Sequence, residues 1–288
     1  MRGLAGLLTL LCALGCSQQR LITVGSKNFT EQILLGEIVA QHLERRLEEK
    51  IDRKLDLGGT LLAQQALRNG EIDLFPEYTG TALTNVLKLA PMADPAVVLE
   101  RVRAEYQRRW QLTWLDPLGF NNTFAMVVRG RQARAESLEA LSDAARSKNG
   151  WRLGAGYEFL ERPDGLRGLL ATYRLPLNGE PKSMDLGLLY KALEQNQVDM
   201  AAGSATDGML SVLDVKVLGD DKHYFPPYQA ALVVRADALR AHPGLRAALD
   251  QLSGKLSDTA MQKLNYEVDG KHRPVAEVAR DWLRNAGL

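Results

Sequence analysis

The side chains best suited to nucleophilic or metal chemistry are few in this chain, and their spacing supports neither. Cys12 and Cys16 stand near the N-terminus, and His42, His223, His242 and His272 are scattered over the remainder. A zinc site needs three or four Cys, His or carboxylate ligands at short spacing, and a disulfide framework needs paired cysteines in the folded body. There is no HExxH helix, no acidic cluster at metal spacing, and no Ser, His and Asp set that sequence order would assemble into a triad. Gly58-Gly59 and Gly154-Ala155-Gly156 lack the context of a phosphate-binding loop, and no GxGxxG fingerprint occurs. An enzyme or a nucleotide-binding protein therefore starts without the residues it needs, and no cofactor or metal is expected.

One cysteine does sit in a reactive context. Met1 to Cys16 opens with Arg2, continues through an uncharged apolar run from Leu4 to Leu14, and ends Ala13-Leu14-Gly15-Cys16. The run is shorter than the about 20 residues of a spanning helix and fits the core of a secretory signal. Its end resembles a bacterial lipobox, whose cysteine is acylated after export; Ala13 stands where a Leu is usual. Residues 1–16 are thus expected to be a lipoprotein signal peptide, with acyl chains on Cys16 tethering a soluble body to a bacterial membrane. The expected location is periplasmic or otherwise extracytoplasmic, and Ser17 in place of Asp leaves the outer membrane open as the destination.

The body that must position any site reads as α/β. A length of 288 residues suggests two domains. With 36 Lys and Arg against 35 Asp and Glu, there is no basic field to hold a nucleic acid. Leu21 to Val24 reads as a strand, Gly25-Ser26 as a turn, and Thr30 to Lys50 as a helix from the spacing of Ile33, Leu34, Ile38, Leu43 and Leu47, with Thr30 as its N-cap. Lys54 to Leu57, Leu61 to Asn69 and Ile72 to Phe75 continue the alternation, which indicates a largely parallel sheet. Much later in the chain, the apolar strand Phe124 to Arg129 has a counterpart in Tyr228 to Arg235. Both exit through Val-Val-Arg, with a second α/β alternation between them. The simplest topology makes these strands the crossing segments of a two-lobe protein. Lobe one is 22–122 plus 229–288, lobe two is the inserted 123–228, and a ligand cleft lies between.

Ordered blocks along nearly the whole body carry a resemblance to a known family. They are Val24 to Gln32, Gly70 to Ala82, Gly119 to Ala125, Glu158-Phe159 with Arg162 and Asp164-Gly165, Thr206-Asp207-Gly208, Asp220 to Tyr228, and Leu264 to Asp269. Together they resemble the substrate-binding proteins of glycine betaine/choline ABC importers, the ProX/OpuAC type. The resemblance implies a type II periplasmic-binding-protein fold and a monomer. It also implies a small quaternary ammonium or zwitterionic osmoprotectant as ligand, and an ABC permease with its ATPase as partners.

Such a ligand sets its own chemical demands. A trimethylammonium group cannot donate a hydrogen bond and keeps its charge at any pH. Aromatic faces hold it best, each giving about 0.5–1 kcal/mol when exposed and about 2 when desolvated. The carboxylate of a betaine needs Arg, Lys or hydroxyl donors. The resemblance places Tyr78, Phe124 and Tyr228 in the cage, with Phe124 where many members have Tyr, and Arg162, Thr81 and Lys27 at the carboxylate. Asn122 falls where some members are acidic. Ser204 falls in a stretch that carries a fourth aromatic in the family and here has none. Three walls of four imply weakened glycine betaine binding or a related ligand that fills the gap, and the OsmF/YehZ-like branch departs from the full cage in a similar way. The competing functions are a sensor of the same fold and a binding protein for another small carboxylate or methylated amine.

Overall fold

The computed structural model describes residues 21–288; the expected signal peptide, Cys12 and Cys16 lie outside the described residues. The alternation of strand and helix builds two five-stranded sheets. Their strands are β1 (Thr23–Gly25), β2 (Asp52–Lys54), β3 (Leu74–Tyr78), β4 (Leu112–Trp114), β5 (Phe124–Arg129), β6 (Leu153–Ala155), β7 (Lys182–Ser183), β8 (Met200–Ser204), β9 (Val215–Leu218) and β10 (Ala230–Arg235). The first sheet has the order β2-β1-β3-β10-β4 and the second β7-β6-β8-β5-β9. In the first, β1 is parallel to β2 and β3, and β10 is antiparallel to β3 and β4. The second repeats the pattern: β6 is parallel to β7 and β8, and β5 is antiparallel to β8 and β9. Each sheet is the centre of one lobe, with apolar clusters on both of its faces.

This symmetry explains the two Val-Val-Arg strands and corrects their expected role. Neither strand crosses between lobes; β5 and β10 hold the same fourth position in their own sheets. Their valines are buried, and the closing arginine of each reaches the acid that precedes the neighbouring strand. Arg129 meets Asp199 at 2.7 Å, just before β8, and Arg235 Nε lies 3.9 Å from Asp73, just before β3. Both acids also receive a backbone N–H from the next parallel strand region, Asp73 from Thr23 and Asp199 from Arg152. The crossings run immediately before the two strands. Asn121 bridges Gln229 in antiparallel fashion, the Asn122 N–H donates to the Tyr228 carbonyl at 3.0 Å, and the Tyr228 N–H donates to Asn121 Oδ1 at 2.6 Å.

Two local departures from the sequence reading bear on the site. Thr30 is not the N-cap of the helix Thr30–Leu47. Phe29 takes that place with extended backbone, while the Thr30 hydroxyl donates to Asp269 and ties the helix start to the end of the helix Asp258–Asp269. The strand expected at Ile72 to Phe75 runs instead from Leu74 to Tyr78. Alternation along it sends Phe75 to one apolar cluster and Leu74 and Tyr78 to the other, and it brings Glu77 and Tyr78 into the sheet. Of the four tryptophans, Trp114 and Trp151 are buried, with the Trp151 indole N–H donating to the Ala144 carbonyl, and Trp110 and Trp282 are partly buried.

Candidate ligand site between the lobes

Strand ends and crossings converge on one seam. From the first lobe come Lys27 after β1, Glu77 and Tyr78 at the end of β3, and Thr81 at the end of the short helix Thr79–Thr81 that follows. From the second come Phe124 at the start of β5, Ser204 at the end of β8, and Arg162 after the helix Tyr157–Glu161. Asn122 and Tyr228 sit in the crossings. Polar contacts join the lobes here. Glu158 accepts the Thr60 N–H at 2.7 Å and its hydroxyl at 3.2 Å, Arg162 donates to the Thr81 hydroxyl at 3.0 Å, and the Thr84 hydroxyl donates to Asp164 at 2.6 Å.

The aromatic residues form two groups. The Phe124 ring lies 5.7 Å from Tyr228, 5.0 Å from Phe159 and 5.7 Å from Phe225. Tyr78 stacks on Phe29 with centroids 6.4 Å apart. Each group carries a cation of the protein itself. The Arg162 guanidinium lies 5.1 Å from the Phe124 centroid and 5.7 Å from that of Tyr228, and the Lys27 ammonium lies 4.8 Å from Tyr78. Ser204 pairs directly with Phe124 across β5 and β8 and so shares its face. A side chain at Gly203 would instead meet Asp207 and the Tyr190 hydroxyl at under 3 Å. Of the two positions, only Ser204 has room for a larger side chain on the face of Phe124 without meeting Asp207 and Tyr190 first. Two surface cavities, of about 380 Å³ beside Trp110 and about 420 Å³ behind Phe124 and Phe225, include none of Lys27, Tyr78 and Arg162 in their walls.

The charged residues pair inside the protein. Arg162 closes its fork on Asp164, with Nε to Oδ1 at 2.9 Å and Nη2 to Oδ2 at 2.6 Å, and lies 3.6 Å from Glu158. Burial alone would raise the Asp164 carboxyl, but the guanidinium and the hydroxyls of Thr84 and Tyr228 hold it below its ordinary value. Lys27 donates to Glu77 at 2.6 Å, both fully buried. Burial raises the Glu77 carboxyl, and Lys27 opposes the rise. The expected carboxylate receptors are thus brought to the seam already engaged with acids that the sequence reading did not single out.

Glu31 was missed in the same way. It lies within the block Val24 to Gln32, and nothing in its local sequence sets it apart from other acids at the start of a helix. It is buried and accepts from Tyr78 O–H and Asn122 on one oxygen and from Thr206 and Asn265 on the other. Asp207 takes the Ser204 N–H and the Tyr190 O–H on a single oxygen, Oδ2, and burial pushes it up to about 6. A folded-state pKa above the unfolded value of about 3.9 makes the native state the better proton binder, so this contribution to stability falls as pH rises from about 4 to 6. Asp207→Asn keeps both hydrogen bonds and removes the buried charge. It should raise the unfolding free energy by about 1–3 kcal/mol at pH 7 and change little at pH 4. Denaturant titrations at both pH values check this, and a destabilised variant at pH 7 would contradict it.

Among the described residues no group of His, Cys, Asp and Glu could hold a metal ion, and no helix is long and apolar enough to cross a membrane. Two α/β lobes joined by two crossings, with aromatic and charged side chains meeting between them, define a solute-binding protein. The chain belongs to the family described as the substrate-binding domain of the ABC-type glycine betaine transport system, matched over residues 20–285. It is the substrate-binding component of an ABC transporter, in a family of extracytoplasmic proteins that act with permease components, and the resemblance read from the sequence is borne out. It is 34% identical to the carnitine transport binding protein OpuCC of Listeria monocytogenes, over 95% of this chain and 89% of that protein. It is 35% identical to the ergothioneine transport permease/ergothioneine binding protein EgtU of Helicobacter pylori, over 94% of this chain and 48% of that protein, so it spans about half of that relative's length. A crystal structure titled glycine betaine/carnitine/choline ABC transporter matches with a TM-score of 0.78 and 34% identity, covering 92% of this chain and 98% of that one.

Proposed function

We propose that this protein captures a small quaternary ammonium solute of the glycine betaine, choline or carnitine class between its lobes and delivers it to an ABC permease driven by an ATPase. It acts as a monomer, held to a membrane through acyl chains on Cys16. Lobe one is 22–122 with 229–288, lobe two is 123–228, and the hinge is the pair of crossings joined by Asn121 and Gln229. The observation that carries the reading is that Tyr78, Phe124 and Tyr228 gather where the lobes meet, with a cation over each aromatic group. Faces that attract Lys27 and Arg162 have the electrostatics a trimethylammonium group needs. The ligand carboxylate is met by Arg162, Thr81 and Lys27. Closure is reinforced by the bonds from Thr60 to Glu158 and from Thr84 to Asp164.

The test is calorimetric titration of the purified chain with glycine betaine, choline, carnitine and ergothioneine. The two larger solutes are included because Ser204 leaves one wall of the cage open. Saturable binding of at least one is expected, weakened roughly 5- to 30-fold by Tyr228→Ala if one desolvated face contributes about 1–2 kcal/mol. Silence with all four, from a folded chain, overturns the reading.

A further inference from the structure

We propose that Glu31 is a specificity-determining residue of the ligand site, its buried carboxylate supplying the counter-charge that makes the Tyr78 side of the cage prefer a quaternary ammonium to an uncharged group of the same shape. The proposal rests on the function proposed above.

The charges at the seam do not balance within the protein. Lys27 is matched by Glu77 at 2.6 Å, and Arg162 by Asp164 at 2.6 Å with Glu158 at 3.6 Å. Glu31 has no such match. Its four partners are the Tyr78 hydroxyl at 2.5 Å, Asn122 Nδ2 at 2.7 Å, the Thr206 hydroxyl and Asn265 Nδ2 at 2.9 Å, all neutral donors. Among the described residues no Lys, Arg or His side chain pairs with it. Asp207, of the same sign, is raised by burial and further by the Glu31 charge. Asp207 is also held by neutral donors, Ser204 N–H and Tyr190 O–H.

An unbalanced buried carboxylate is costly unless a cation arrives. Burial does raise the Glu31 carboxyl, while its four hydrogen bonds and its place in the first turn of the helix Thr30–Leu47 favour the charged form. The donors also decide where the charge acts. Tyr78 and Asn122 share Oε1, and both belong to the residues assigned to the ligand. A phenol that donates to a carboxylate becomes richer in electrons across its ring, which strengthens its pull on a cation over the face. The Lys27 ammonium 4.8 Å from that ring is paired with Glu77 at 2.6 Å and not with Glu31, so a cation bound on the Tyr78 face would be the partner of the Glu31 carboxylate.

The test compares choline with 3,3-dimethylbutan-1-ol, its uncharged carbon isostere, on the wild-type chain, Glu31→Gln and Glu31→Asp, with thermal melts to establish folding. If glycine betaine is the better ligand, 3,3-dimethylbutanoate takes the place of the alcohol. Glu31→Gln should weaken the quaternary ammonium by about tenfold or more and the isostere by less than about threefold, while Glu31→Asp keeps most of the preference. Equal losses for both ligands would make Glu31 a structural brace and overturn the proposal, as would an unchanged preference in Glu31→Gln. An isostere that binds wild type as tightly as its charged counterpart overturns it without any variant. A wild type that binds no quaternary ammonium overturns the proposed function and this inference together, whereas the preceding results overturn the inference alone.

Discussion

Arg162→Met should cost the folded chain about 3–5 kcal/mol, the range found when one partner of a buried ion pair is removed. The side chains of Arg162 and Asp164 are 5% and 0% exposed, so solvent screens neither. Without the guanidinium, Asp164 keeps only the hydroxyls of Thr84 and Tyr228, two neutral donors for a full buried charge. Methionine retains much of the volume against Phe124 and Tyr228, so the loss reports charge rather than packing. Both hydroxyls land on Oδ2, and an asparagine oxygen can accept both. The double variant Arg162→Met with Asp164→Asn should therefore recover at least half of the stability. The pH dependence has a definite sign. The wild-type Asp164 carboxyl lies below its unfolded value, so the stability from this pair is present above about pH 4 and is lost as pH falls through the lowered folded value. Denaturant unfolding at pH 7 measures the effect, and a loss under 1 kcal/mol would show that the pair contributes little.

Lys27→Met should be of similar size, about 3–5 kcal/mol at pH 7, for the same reason in the other lobe. Glu77 is fully buried and would retain only the Tyr78 backbone N–H on the oxygen that Lys27 now meets. Here the acid is already raised by burial in the wild type, and loss of the ammonium raises it further. The destabilisation should therefore be largest near neutral pH and shrink toward pH 4, where Glu77 takes up a proton in folded and unfolded chains alike. Adding Glu77→Gln should restore much of the loss, because the amide oxygen still accepts the Tyr78 N–H. A Lys27→Met variant with the same deficit at pH 4 and pH 7 would mean that lost packing, not the stranded carboxylate, is responsible.

These two pairs show where reading the chain stopped short. Lys27 and Arg162 were legible because they sit in blocks that resemble a family, and Arg162 has Asp164 only two positions on. Their occupancy was not legible. Glu77 meets Lys27 because β1 and β3 are neighbours in the sheet, an adjacency between residues fifty positions apart that no local spacing expresses. Thr81 and Thr84 reach Arg162 and Asp164 only because the lobes meet along this seam. Glu31 is the sharpest case. In sequence it is an ordinary acid in a first helical turn, and its four donors come from Tyr78, Asn122, Thr206 and Asn265, spread over most of the chain. The Val-Val-Arg strands were seen correctly as a pair but misassigned as crossings, because repetition in sequence records equivalent environments and not the path between them.

The sequence by itself determined the α/β alternation and the family, and it named the candidate side chains for a ligand, since hydrophobic periodicity and contiguous motifs are local properties. Only the tertiary structure decided how those side chains are paired. Charge balance in a buried seam depends on distances between strands and lobes, and it paired Arg162 with Asp164 and Lys27 with Glu77, set Ser204 on the face of Phe124, and surrounded the Glu31 carboxyl with four neutral donors.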